Sequence, residues 1–288
     1  MKVLVLGGDG MLGHELFFQL RQRHETRVTL RQPLAAYSGY RLFERSNAFD
    51  GIDVRAPDSV EQVLRDYKPQ AVINAVGIVK QRPESEEALM SIEVNSLLPH
   101  RLALGCEDVG AQLVHLSTDC VFSGKRGAYR ESDLPDPLDV YGRSKLLGEV
   151  TGDGAITLRT SMIGRGLTRK GGLIDWFLTQ RAPIQGYRNA IFSGLTTREL
   201  GRVIGLVIEK HPKASGLYHV SAEPISKFDL LTKLRTRLGS GPEIVPADEP
   251  RIDRSLDSTR FRSAFGYAPP SWDQMLDELA QDIHRKAA

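Results

Sequence analysis

Residues 2–20, KVLVLGGDGMLGHELFFQL, hold the pattern on which the architecture turns. Lys2–Leu6 is a short continuous apolar run, which suits a strand buried on both faces. Gly7, Gly10 and Gly13 follow at intervals of three, with Gly8 beside them, and then HELFFQLRQRH takes a helical period. Strand, glycine loop and helix in that order allow a tight turn and a close backbone approach to a pyrophosphate. The helix N-terminus then faces the negative charge. A dinucleotide is therefore expected at Gly7 and Gly10.

The same alternation continues outward. RVTL (27–30), AVINAVG (71–77), QLVHLSTD (112–119) and AITLRTS (155–161) read as strands. SVEQVLRDYKP, SIEVNSLLPHRLALGCEDVG and YGRSKLLGEVTGD (141–153) read as the helices between them, with Pro99 marking a start or a kink in the second. Alternation over residues 1–160 predicts an α/β fold built on a parallel sheet. The last third is less regular. GLYHVSA (216–222) could return to the same sheet, completing the first unit over about 192–221. Residues 161–191 and 222–288 are expected to form a smaller α/β lobe over the sheet's carboxyl edge, where open α/β sheets bind ligands.

Composition narrows the function classes. The chain has 288 residues, net charge near +2 and 41% hydrophobic residues, so neither a nucleic-acid nor a polybasic membrane partner is indicated. The two cysteines, Cys106 and Cys120, have no metal or disulfide spacing, and the seven His are scattered. No metal site is expected. With no signal peptide or membrane span in the pattern, a soluble, reducing, cytoplasmic setting is expected. Cys106 reads as a small buried apolar side chain.

Two positions bear on a cofactor. Many sites for the unphosphorylated dinucleotide carry an acid after the second strand, but RVTLRQP offers Arg31 instead, which favours a 2′-phosphate. Farther on, Asp53 and Val54 in GIDVRAP could flank an adenine ring. The stretch VYGRSK (140–145) then sets Tyr141 four residues before Lys145, on one helical face.

Taken together, the glycine loop, NAVG (74–77), LSTDCVFSG (116–124), VYGRSK and LRTS (158–161) resemble the extended short-chain dehydrogenase/reductases, in particular the dTDP-4-dehydrorhamnose reductase-like branch. FSGKRGAYRESDLPDPLDVYGRSK is highly characteristic of that branch, and RSLDSTRFRSAFGYAPPSWDQMLDEL matches it more loosely. The resemblance implies a Rossmann-like, doubly wound parallel sheet with a smaller α/β substrate-binding lobe in the C-terminal half. It assigns Thr118, Tyr141 and Lys145 to catalysis. Gly7, Gly10, Met11 and Leu12 match the pyrophosphate loop, and Ala75, Val76 and Gly77 the segment beside the cofactor. Asp119 would face the sugar.

Two departures stand out: Cys120 where the branch often has an aromatic residue, and Met162 where it often has Trp. Both positions, with Arg165, are expected to face the substrate. Arg169, Lys170 and Arg188 are further candidates for a diphosphate. The implied activity is NADPH-dependent reduction of a nucleotide-linked 4-keto-6-deoxyhexose, with NADPH preferred over NADH and a homodimer open. A nucleotide-sugar epimerase of the same fold and a non-catalytic, dinucleotide-binding regulatory relative are the alternatives. Lys145, with an oxidised nicotinamide, is expected to lower the Tyr141 pKa.

Overall fold

The computed structural model describes residues 1–78, 87–168 and 171–287. Strand β1 (Lys2–Leu6), helix α1 (Met11–Leu20) and strand β2 (Glu25–Thr29) open the chain, followed by β3 (Ala48–Phe49), α2 (Pro57–Tyr67) and β4 (Ala71–Asn74). Helices α3 (Ala88–Ser91) and α4 (Leu98–Val109) are joined by a π-turn, Ile92–Leu97. Next come β5 (Gln112–Thr118), α5 (Val140–Leu147) and β6 (Ala155–Thr160). The second half holds β7 (Met162–Ile163), α6 (Leu173–Thr179), β8 (Ile184–Tyr187), β9 (Ala190–Phe192), β10 (Leu195–Thr196), α7 (Thr197–Lys210) and β11 (Gly216–His219). It ends with β12 (Ile225–Ser226), α8 (Lys227–Leu238), β13 (Ile244–Ala247), β14 (Ile252–Asp253), α9 (Thr259–Phe265) and α10 (Trp272–Ala287).

Seven strands make one parallel sheet in the order β11-β6-β5-β4-β1-β2-β3. The order reverses between β1 and β4, which opens a crevice at their carboxyl ends. Alternate β1 side chains serve opposite layers. Val3 and Val5 join the core containing Leu16 and Phe17 of α1 and Val203 and Val207 of α7. Leu4 and Leu6 join Leu64 of α2 and Leu102 and Cys106 of α4. Burial on both faces explains the unbroken apolar run, each such Leu contributing roughly 2 kcal/mol. Cys106 is a space-filler there, its thiol pKa pushed up to about 12 by burial.

Of the two readings of Pro99, a start or a kink, the structure shows the start. The proline occupies the first turn of α4 directly after the π-turn, whose wider winding accommodates a residue without an N–H. Helix α5 is shorter than the period of 141–153 suggests and stops at Leu147. The Thr157 hydroxyl on β6 takes both backbone groups of Val150, accepting from its N–H at 3.1 Å and donating to its carbonyl at 2.6 Å, which turns the chain away.

The remaining strands form small sheets, β12-β9-β14, β13-β8 and β10-β7. They are stitched to the loop after β5: Asp253 N donates to Gly124 O at 2.7 Å, and Tyr129 N to Ser255 O at 2.9 Å. Among the described residues, no helix is long and apolar enough to cross a membrane.

Candidate functional site

The first half of the site is a groove at the β1/β4 crevice, holding ≈ 870 Å³ with its solvent-open part included. Gly7, Gly10, Arg31, Asp53, Val54, Ala75, Val76 and Gly77 all line it. Packing dictates the glycine loop. A Cβ on Gly13 would lie 2.0 Å from the Gly7 carbonyl, so only glycine lets α1 begin this close to the turn. Gly10 caps α1 without a side-chain bond, and the first turn carries no acid. Helix geometry leaves the N–H groups of Met11 and Leu12 without intrahelical acceptors. Leu12 buries its side chain in the core, so what it offers an anion is its backbone. These features fit a dinucleotide pyrophosphate.

Asn74, at the end of β4, fixes the opposite wall: its Oδ1 accepts from Val76 N at 3.1 Å, and its Nδ2 donates to His115 Nδ1 at 3.1 Å. Asp53 is held by Arg55 through three contacts of 2.6–3.2 Å, and that guanidinium keeps its carboxyl at about 2. Arg55, Asp9, Met90 and Val94 also line the groove. Asp9 sits inside the glycine loop itself but is not one of its glycines, and Arg55, Met90 and Val94 carry no glycine or strand signal, so sequence reading did not single them out.

The second half of the site forms where β5 ends and α5 begins. Asp139 caps α5, its carboxylate accepting from Gly142 N at 2.8 Å. A Cβ on Gly142 would stand 2.3 Å from the Cys120 carbonyl, so glycine allows α5 to press against the segment after Thr118. That contact brings Tyr141 beside Thr118, whose hydroxyl favours the ionised phenol. The Thr118 hydroxyl also accepts from Cys120 N at 3.1 Å and donates to Asp119 Oδ1 at 3.2 Å.

Lys145 is buried and its Nζ donates to Leu116 O at 2.6 Å. Burial lowers its pKa from 10.5 to about 8, against an opposing pull from the Glu149 carboxylate. The expectation for Tyr141 is corrected here: its pKa is raised. Burial of the phenol is the largest cause and the Cys120 thiol adds to it, while the Thr118 hydrogen bond pulls down. In the protein by itself the Lys145 ammonium is spent on a carbonyl, so desolvation decides.

A buried polar cluster supports these strands from beneath. Arg159 of β6 makes a two-pronged pair with Glu149, both contacts 2.7 Å, and Ser117 Oγ donates to the same carboxylate at 2.6 Å. Arg159 also reaches His219 Nε2 at 3.3 Å, and His219 Nδ1 meets Tyr129 O at 3.0 Å. Burial, then Arg159, lowers the His219 pKa to about 4, so the imidazole is neutral and accepts from the guanidinium.

The other predicted substrate residues are scattered. Asp119 is buried and bonds with Thr118, Cys120 and Ser161; burial raises its pKa, with Arg254 the main opposing charge. Cys120 stays partly exposed beside it. Met162 is partly buried and packs against the main core. Arg165 is paired at 3.2 Å with the buried Asp175, which also accepts from Gly166 N at 2.7 Å. Arg188 is paired with Asp248 at 2.9 Å. Arg169 and Lys170 lie outside the described residues. Two cations that sequence reading passed over, Lys227 and Arg254, interact electrostatically with Asp119.

Comparison with known proteins adds a lineage to this geometry. The family model described as RmlD substrate binding domain matches residues 1–285. Spore coat polysaccharide biosynthesis protein SpsK of Bacillus subtilis is 29% identical over 295 residues, spanning 98% of this chain and 97% of its own. The dTDP-4-dehydrorhamnose reductase of Aggregatibacter actinomycetemcomitans is 27% identical over 256 residues, 80% of this chain and 87% of that one. The crystal structure of a dTDP-4-dehydrorhamnose reductase from Bacillus anthracis in complex with NADP shares the fold, with a TM-score of 0.80 at 21% identity over 98% of this chain and 99% of that one.

Proposed function

The chain belongs to the RmlD substrate binding domain family, and from that premise we propose that it reduces the 4-keto group of a nucleotide-linked 4-keto-6-deoxyhexose with NADPH, in deoxysugar and polysaccharide biosynthesis. The observation that carries this reading is the packing of α5 against the segment after β5, which sets Tyr141 beside Thr118 with Lys145 one helical turn on.

A reduced nicotinamide bound along the groove supplies the hydride. Thr118 and Tyr141 hold the carbonyl oxygen between them and orient the ketone. Burial keeps the phenol protonated at neutral pH, so Tyr141 starts as an acid and gives its proton to the oxygen as charge develops there. Lys145 stands ready to stabilise the phenolate left behind. Arg55 neutralises Asp53, which leaves Arg31 in the same groove for a 2′-phosphate and supports the preference for NADPH.

The test mixes the protein with NADPH and freshly generated dTDP-4-keto-6-deoxyhexose, with and without a 3,5-epimerase, and follows reduced-nicotinamide absorbance. Sugar-dependent oxidation is expected, abolished by Tyr141→Phe while NADPH binding stays within about twofold. Near-normal turnover in that variant would sink the proton-transfer role.

A further inference from the structure

The end of the groove that carries Arg31 also holds two acids, Asp9 and Asp53, and the fold treats them differently. Asp53 is gripped by the Arg55 guanidinium, 2.6 Å away. Asp9 lies inside the glycine loop, between Gly8 and Gly10. Among the described residues its carboxylate forms no ion pair and accepts instead from the Tyr37 hydroxyl at 3.2 Å. That hydroxyl in turn accepts from the backbone N–H of Gln32 at 3.3 Å. One phenol therefore ties the glycine loop to the residue directly after Arg31, and the carboxylate stands two hydrogen bonds from that amide.

The tie is rigid. Tyr37 is 3% exposed and meets the Phe43 ring edge-on, with centroids 5.7 Å apart, in the core that holds Phe17. A phenol sunk in apolar surroundings keeps its polar partners, because losing one leaves a buried hydroxyl unpaired. The two residues before Asp9 are pinned to the end of β2 as well. Gly7 N donates to Thr29 Oγ1 at 3.1 Å and Gly8 N to Thr29 O at 2.9 Å. Three successive loop residues are thus fastened to β2 or to the turn after it, which holds the Asp9 carboxylate near Arg31.

These two charges suit different ligands. A guanidinium pairs with a 2′-phosphate, whereas a carboxylate repels a phosphate and accepts from a 2′-hydroxyl. The acid that serves a ribose hydroxyl commonly sits at the end of the second strand. Here Arg31 occupies that place and the acid arrives from the glycine loop. We propose that Asp9 is a specificity-determining residue that acts against Arg31, accepting from the 2′-hydroxyl of an unphosphorylated dinucleotide and repelling a 2′-phosphate, with Tyr37 as the positioning residue that holds it there. Asp9 narrows the margin by which NADPH is preferred over NADH. The inference rests on the reading of the groove as a dinucleotide site and does not depend on which sugar is reduced.

The test is titration of the full chain with NADPH and with NADH, followed by nicotinamide fluorescence, for wild type, Asp9→Asn, Asp9→Ala and Tyr37→Phe. Asparagine removes the charge and keeps an acceptor, so NADPH binds about tenfold tighter while NADH stays within about twofold of wild type. Alanine removes both, so NADPH tightens and NADH weakens by about fivefold. Tyr37→Phe keeps the ring packing and shifts the ratio of the two affinities the same way by a smaller factor. A ratio that stays within about twofold of wild type in both Asp9 variants, or an equal loss for both cofactors, overturns the inference. The expected shifts without any sugar-dependent oxidation support the inference and remove the reductase reading alone. A wild type that binds neither cofactor removes both.

Discussion

Replacing Lys145 with Met is expected to inactivate the protein and stabilise it. The ammonium is buried, and its pKa falls from 10.5 to about 8. At ~1.4 kcal/mol per pKa unit, that depression corresponds to roughly 3 kcal/mol by which the charge destabilises the fold near neutral pH. Methionine fills similar space without a charge. It leaves the Leu116 carbonyl without its donor, which takes back about 1 kcal/mol, for a net gain of roughly 2 kcal/mol. The pH dependence gives the sharper test. Unfolded lysine keeps its proton up to about 10.5, whereas the folded side chain releases it near 8. Between those values the unfolded state carries more protons, so wild-type stability rises with pH. The penalty is whole below about pH 8 and gone above about 10.5. Urea unfolding followed by tryptophan fluorescence at about pH 7 and pH 10 would show the variant ahead at the lower pH and the advantage lost at the higher. A variant less stable at neutral pH, or a gap that ignores pH, refutes the assignment of this cost to the buried ammonium.

Arg31→Ser should raise the NADPH dissociation constant about tenfold or more while leaving NADH within about twofold; an equal loss for both cofactors would remove Arg31 from the 2′-phosphate. Glu149→Gln strands the Arg159 guanidinium, whose side chain is 4% exposed, and should cost roughly 3–5 kcal/mol of unfolding free energy. The double change Glu149→Met with Arg159→Met, which removes both charges, should cost less, and an equal or larger loss in the double variant would show that packing, not charge, carries the contribution.

What the sequence discloses here depends on whether the physics is local. The strand at KVLVL and the turn after it are legible because burial on both faces and close backbone approach each demand a residue type at a fixed spacing. Tyr141 and Lys145 are legible for the same reason, being one turn apart. The direction of the Tyr141 pKa was not, because it depends on how deeply the phenol is desolvated, which only packing against Cys120 and Thr118 decides. Arg165 looked available because its partner Asp175 sits ten residues on, in a helix whose docking no local pattern announces. Lys227 and Arg254 are separated from Asp119 by more than a hundred residues. They interact with it only because β12 and β14 pair on the two sides of β9. The π-turn before Pro99 was half visible: proline signalled an irregular winding but not its kind.

The stitching between the loop after β5 and β14 bears on how such proteins can diversify. Gly124 and Tyr129 of the first half share backbone bonds with Asp253, Ser255 and Asp257 near the end of the chain, and Ala128 N donates to Ser255 Oγ at 2.8 Å. The two halves are therefore poor candidates for exchange by recombination at a single crossover near residue 160. A hybrid made there would pair a 122–131 loop from one parent with a 252–257 segment from another, and the mismatch would fall next to Asp119. Under the proposed function, substrate choice is more open to point changes along that seam, at positions such as Cys120, than to shuffling whole lobes.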